Sequence, residues 1–180
     1  FLSYVGYALD FKGMEVDFPG KVMGLQAYGT PDLELARQIN QDNILDLCGE
    51  WMHRGVDSKD PKFQDFVATV HKACELIQLE YFKVFDSSKK ISCSGGVMLN
   101  TVINTELRKT YDIEIIPHVY DGGLSVGALR YAVGHNFDIG NFPYCQDDYA
   151  PDEAHDDTIE KAAELLAQGK IIGWYQGHGE

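Results

Sequence analysis

Two glycine pairs stand where phosphate chemistry could be done. The first lies in Ile91-Ser92-Cys93-Ser94-Gly95-Gly96-Val97-Met98-Leu99-Asn100, the second in Pro117-His118-Val119-Tyr120-Asp121-Gly122-Gly123-Leu124-Ser125-Val126-Gly127-Ala128. Each reads as a strand end followed by a helix start. There backbone N–H groups can face an anion at close range, because glycine carries no Cβ. Gly95, Gly96, Gly122 and Gly123 are therefore candidate nucleotide-phosphate residues. Asp121 could hold a divalent metal or organise phosphates at the C-terminal edge of a parallel sheet, where α/β ligands bind. It suits equally well the N-cap of the following helix. Taken alone, the first pair fits an ordinary strand-to-helix turn better than a binding loop.

Other reactive groups are sparse. Lys21 could neutralise a phosphate or simply be a solvated lysine at a helix start. His118 could donate to a ligand, but a lone histidine is more often satisfied by a neighbour. The six histidines offer no H-x-x-x-H or H-E-x-x-H pattern. Cys48, Cys74, Cys93 and Cys145 are widely spaced, with no C-x-x-C pair, which argues against structural zinc and for reduced thiols. Cys93, at a strand end, reads as buried and inert. No Ser-His-Asp or Cys-His arrangement follows from the spacing, so no general base is named.

The elements that must position these residues follow from periodicity. Residues 61–85 form the clearest helix: Phe63, Phe66, Val67, Val70, Cys74, Ile77, Tyr81 and Val84 recur at three- and four-residue steps, with Pro61 in the first turn. Phe63, Phe66 and Tyr81 are read as core. Strands are expected at 91–94 and 113–117, with helices at 97–109 and 124–133, giving a β-α-β-α stretch. Short strands are expected within 4–11, a compact segment at 21–28, and helical pieces near 32–40 and 43–51. Residues 53–61 read as loop and 137–151 as an acidic linker. A helix at 158–168 and a strand at 170–176 close the chain.

Composition bounds the rest. A hydrophobic share of 44% and an aromatic share of 12% belong to a folded protein. The net charge of −13 argues against nonspecific nucleic-acid binding. No apolar run approaches the roughly 20 residues of a membrane span. The chain starts at Phe1 and stops at Glu180 just after a strand-like run, and both ends read as cut from a longer polypeptide.

Four segments together go beyond generic turns. Gly20-Lys21-Val22-Met23-Gly24-Leu25-Gln26-Ala27-Tyr28-Gly29 resembles the K-x-M-G-L-A-x-Y-G segment of nodulation-type and antibiotic-type O-carbamoyltransferases. Ser94 to Asn100 resembles their S/A-G-G-V-A-L-N, and Pro117 to Ala128 their P-x-x-x-D-x-G-x-x-x-G-A. Gly169-Lys170-Ile171-Ile172-Gly173-Trp174-Tyr175-Gln176-Gly177 is similar to a run that in the family precedes E-F-G-P-R-A-L. Met98 and Gln26 stand where alanine is usual.

The resemblance implies an α/β, RNase H-like, actin-like ATPase fold for residues 1–150. It implies the start of a second domain, resembling those that make threonylcarbamoyl adenylate, for residues 151–180. It implies that carbamoyl phosphate and ATP give carbamoyl adenylate, whose carbamoyl group passes to the hydroxyl of a small acceptor such as a sugar, an antibiotic or a nodulation-factor-like molecule. It assigns Gly95, Gly96 and Asn100 to the nucleotide side and Asp121 to an iron-type divalent metal whose histidine ligands lie elsewhere. A cytoplasmic enzyme is expected, with homo-oligomerisation open and this piece inactive alone. A kinase or ATPase of the same fold, or a noncatalytic nucleotide-binding module, are the alternatives.

Overall fold

The computed structural model describes residues 2–9, 11, 13–14, 17–52, 57–140 and 156–174. They form a mostly helical α/β structure with one two-stranded parallel sheet. Internal contacts divide the chain into two units, residues 1–120 and 121–180.

The first unit opens with helix α1 (Leu2–Ala8), where strands were expected within 4–11. Leu2, Val5 and Leu9 are all buried, and their steps of three and four make one helical stripe. That stripe outweighs the β preference of a short aromatic run. Helix α2 (Phe18–Leu25) carries Pro19 in its first turn and buries Phe18 and Val22. A single 3-10 turn, Gln26–Tyr28, continues it. Helix α3 (Leu33–Gln38) starts at Asp32, whose carboxylate accepts from the N–H groups of Glu34 and Leu35 at 2.9 and 3.0 Å. Helix α4 (Ile44–Met52) follows.

Helix α5 (Pro61–Phe82) is the spine of this unit. Asp60 caps it through the Lys62 N–H at 3.0 Å, and Pro61 occupies the first turn, where no N–H is needed. Phe63, Phe66, Val67, Val70 and Ala73 join α1, α2, α3 and α4 in one core cluster. The helix stops at Phe82, three residues short of expectation. Tyr81 is 66% exposed and is not a core residue; Ile77 and Val84 are exposed with it.

A second core cluster forms around a β-α-β unit. Strands β1 (Ile91–Cys93) and β2 (Ile113–Ile115) run parallel, with Ile91 opposite Ile113 and Cys93 opposite Ile115. Between them come a 3-10 turn, Gly96–Leu99, and helix α6 (Thr101–Leu107). Phe82, Cys93, Met98, Ile103, Leu107, Tyr111, Ile113 and Val119 fill this cluster. The expected helix over 97–109 is thus split, its first turn tightened and its regular part starting at Thr101.

The second unit holds a 3-10 turn, Asp121–Gly123, helix α7 (Leu124–Val133) and helix α8 (Asp156–Ala167). Gly134 ends α7 in the left-handed conformation, φ 74°, with its N–H on the Arg130 carbonyl at 3.2 Å. Residues 170–174 form no strand, and Ile171 is fully exposed. A strand requires a neighbouring strand, and the two strands among the described residues pair with each other. Residues 175–176, most of the expected linker and part of the 53–61 loop lie outside the described residues.

Candidate functional site

Helix α5 holds two motif segments of the first unit. Gly29, ending the Gly20–Gly29 segment, is pressed against it: a Cβ there would lie 2.1 Å from the Gln64 carbonyl oxygen. Just beyond, the Thr30 N–H donates to the Asp65 carboxylate at 2.7 Å. The Asp32 N–H donates to the Thr69 hydroxyl at 2.9 Å, and that hydroxyl donates to the Asp65 carbonyl at 2.7 Å. Two turns of α5 thereby clip the chain after the 3-10 turn.

The second segment is held further along α5. Gly95 has φ 102° and ψ 152°, a conformation that essentially only glycine adopts. Its N–H donates to the Val119 carbonyl at 2.6 Å, and its carbonyl accepts from the Met98 N–H at 2.9 Å. Met98 is buried and anchors the turn from below, while Val97 and Leu99 are exposed at its sides. The Asn104 side-chain amide donates to the Met98 carbonyl at 2.7 Å.

Asn100 joins the turn to the helices. Its Oδ1 accepts from the Ile103 N–H at 3.1 Å, which caps α6. Its Nδ2 lies 3.0 Å from Nε2 of His71 on α5. Asn100 and His71 are both buried. Burial pushes the His71 imidazole below its ordinary pKa. The Lys72–Glu75 ion pair lies on the same helix, with Glu75 buried.

Gly95 and Gly96 are exposed, and a Cβ built on either meets nothing within 4 Å. At Gly95 the backbone conformation accounts for glycine. Gly96 has neither a positive φ nor a close neighbour to account for it.

The Lys21 segment reaches the start of α6 through Met23, whose sulfur accepts from the Thr101 hydroxyl at 3.9 Å. Lys21 itself is exposed at the start of α2, its Nζ 5.6 Å from the Phe18 ring centroid. His118 is buried beside Val119. The thiol of Cys93 is raised by burial, and Cys48 is pushed up to about 11 by the same cause, so both are poor nucleophiles.

The second glycine pair is built differently. Asp121 opens the 3-10 turn, and Gly123, at φ −75°, occupies the N-cap of α7 without a side-chain cap bond. Asp121 is therefore not the cap. The Ser125 hydroxyl donates to the Gly122 carbonyl at 3.2 Å. Among the described residues no group of three His, Cys, Asp or Glu side chains could hold a metal ion. One exposed carboxylate does not by itself make a metal site.

Residues 2–129, which include both glycine pairs and the Lys21 segment, match the family described as carbamoyltransferase N-terminus. The chain belongs to this family. The nodulation protein NolNO of Sinorhizobium fredii is 27% identical across 99% of this chain and 32% of its own length. The nodulation protein NolO of Bradyrhizobium diazoefficiens is 26% identical across 89% of this chain and 37% of its own. An uncharacterized protein of Methanocaldococcus jannaschii is 27% identical over 89% and 34%. The chain thus spans about a third of the length of these relatives. No solved structure matches it. Among the described residues no helix is long and apolar enough to cross a membrane.

His71 was not singled out from the sequence. Its signal was present as a histidine on the apolar face of α5, but its partner lies 29 positions away.

Proposed function

We propose that this chain is part of a cytoplasmic O-carbamoyltransferase that uses carbamoyl phosphate and ATP, through carbamoyl adenylate, to carbamoylate the hydroxyl of a small acceptor. In this reading residues 1–150 are the second half of an actin-like ATPase domain, and residues 151–180 open the next domain. The observation that carries the reading is the family match over residues 2–129, which spans the exposed Gly95–Gly96 turn.

The turn supplies the chemistry of binding. The Gly95 N–H is used on Val119. The first N–H groups of a helical turn have no partner within it, so those of Gly96 and Val97 would meet a nucleotide phosphate. The bare Gly96 Cα lets that phosphate approach the backbone. Asn100 serves the same nucleotide side, its side chain committed to the cap and to His71. Gly122 and Gly123, in the second unit, are separate candidates for nucleotide binding, and Lys21 is an auxiliary cation. Donors aimed at the phosphate before it arrives require no reorganisation during the reaction.

Asp121 is the one residue of this chain that the reading gives to a metal, iron-type by resemblance. Asp121→Ala in the full-length protein should lower bound metal; unchanged metal content would remove that assignment.

Carbamoyl phosphate, water and ATP would give carbamoyl adenylate with release of phosphate and pyrophosphate, and AMP leaves when the carbamoyl group passes to the hydroxyl, whereas a kinase or simple ATPase releases ADP. The full-length protein should therefore form AMP from ATP only when carbamoyl phosphate is present. ADP formed independently of carbamoyl phosphate, or no turnover of ATP, contradicts the proposal.

A further inference from the structure

We propose that His71 is a positioning residue for the Gly95–Gly96 turn. Neutral and protonated on Nδ1, it accepts the Asn100 amide at Nε2 and so holds the residue that joins the turn to α6. The inference rests on the nucleotide reading for its consequence, but not for its geometry.

The amide orientation decides the proton's place. Asn100 Oδ1 accepts from the Ile103 N–H at 3.1 Å. Turning the amide over would set its NH2 against that N–H, donor against donor. Nδ2 therefore faces His71 Nε2 at 3.0 Å, and an NH2 group can only donate. Nε2 must present its lone pair, so the neutral ring carries its proton on Nδ1. A proton added to Nε2 would abolish this bond and leave two donors facing each other in a buried place.

The connections downstream are short. Asn100 follows Leu99, the last residue of the turn, and its backbone N–H donates to the Val97 carbonyl at 3.2 Å. The Asn104 amide ties α6 to the Met98 carbonyl at 2.7 Å. Releasing Asn100 loosens the cap of α6 and the turn together. The charged groups acting on His71 are Glu75, which favours the imidazolium, and Lys72, which opposes it. Lys72 also acts on Glu106 of α6. Burial opposes the imidazolium most strongly.

The test uses the full-length protein with isotope-labelled histidine and its His71→Gln and His71→Leu variants. Gln can still accept from Asn100 through its carbonyl; Leu cannot. His71 should show an unprotonated Nε2 at pH 7.5. ADP affinity should fall as the pH drops through the His71 titration. His71→Gln should retain near wild-type affinity with a flatter pH profile, and His71→Leu should bind ADP about tenfold more weakly. An Nε2-protonated ring at pH 7.5, or a Gln variant no better than the Leu variant, overturns the role. If ADP binds to none of the three, the nucleotide reading fails. The Gly95 and Gly96 amide resonances then decide the positioning role: shifts tracking the His71 titration support it, and their constancy overturns it.

Discussion

The two glycine pairs look alike in sequence and differ in how they are held. Gly95 sits at φ 102° with its N–H on the Val119 carbonyl, beside a buried Met98 and a capping Asn100. Gly123 sits at φ −75° in an ordinary helical conformation, with no side-chain cap bond. The first turn is held by its own buried Met98, by Asn100 behind it, and by His71 of α5 and Asn104 of α6. The second opens a helix, α7, that buries none of its residues among those described. A glycine pair therefore marks a chain turn. Whether it marks a preformed binding surface depends on the residues that immobilise it.

The largest effect should come from Asn100→Ala, which removes the α6 cap and leaves buried His71 without its partner. A loss of about 2–3 kcal/mol is expected, measured by denaturant unfolding. A loss under about 0.5 kcal/mol would mean that the first turn is no better held than the second. Next comes Gly95→Ala, which forces a side chain into the Gly-only region and should cost about 1–3 kcal/mol. A neutral outcome would show that the turn can relax out of its positive φ.

The pH dependence sharpens the same contrast. Burial holds His71 below its ordinary 6.5. Between the folded and unfolded pKa values the unfolded chain binds more protons, so stability rises with pH there. The His71 contribution is complete above about pH 6.5 and is lost as the pH falls toward the folded value. Melting curves between pH 7.5 and 5 should show this decline, and His71→Gln should lessen it. An identical decline in the variant would place the titration elsewhere. The smallest effect is expected for Gly123→Ala. Its backbone is already helical, so the change should stay within about 1 kcal/mol of wild type and can be stabilising. A loss as large as that of Gly95→Ala would erase the contrast between the turns.

Much of the scaffold could be read from periodicity. The α5 stripe, the two short strands and α7 with its Gly134 stop were legible because burial repeats along one face and breakers stand at the ends. The strand expected near Tyr4 became helix because a seven-residue element is too short for its aromatic content to outvote a Leu2–Val5–Leu9 stripe. The strand expected at Ile171 was read from composition, which says nothing about a partner strand. Tyr81 continues the α5 period in sequence, but the packing ends before its face is covered. Both glycine pairs were legible as turns. Their unequal support was not, because it depends on Val119 and His71, which reach the turn only through the fold. The split of the helix at Asn100 has the same origin: burying Met98 tightens one turn, and Asn100 restarts the helix behind it.

A nucleotide phosphate bound on the Gly95–Gly96 turn, as proposed, would lie against the bare Gly96 Cα. Gly96 tests this binding most directly, because a Cβ there meets nothing within 4 Å and its backbone is not in the glycine-only region. Gly96→Val should therefore fold like the wild type while presenting a branched side chain where the phosphate would approach. The measurement is ADP binding to full-length wild type and Gly96→Val by calorimetry, with a melting curve on each sample. The fold should be unchanged and ADP affinity reduced at least tenfold, a loss of about 1.4 kcal/mol or more. Wild-type ADP affinity in a folded Gly96→Val protein would contradict the proposed binding.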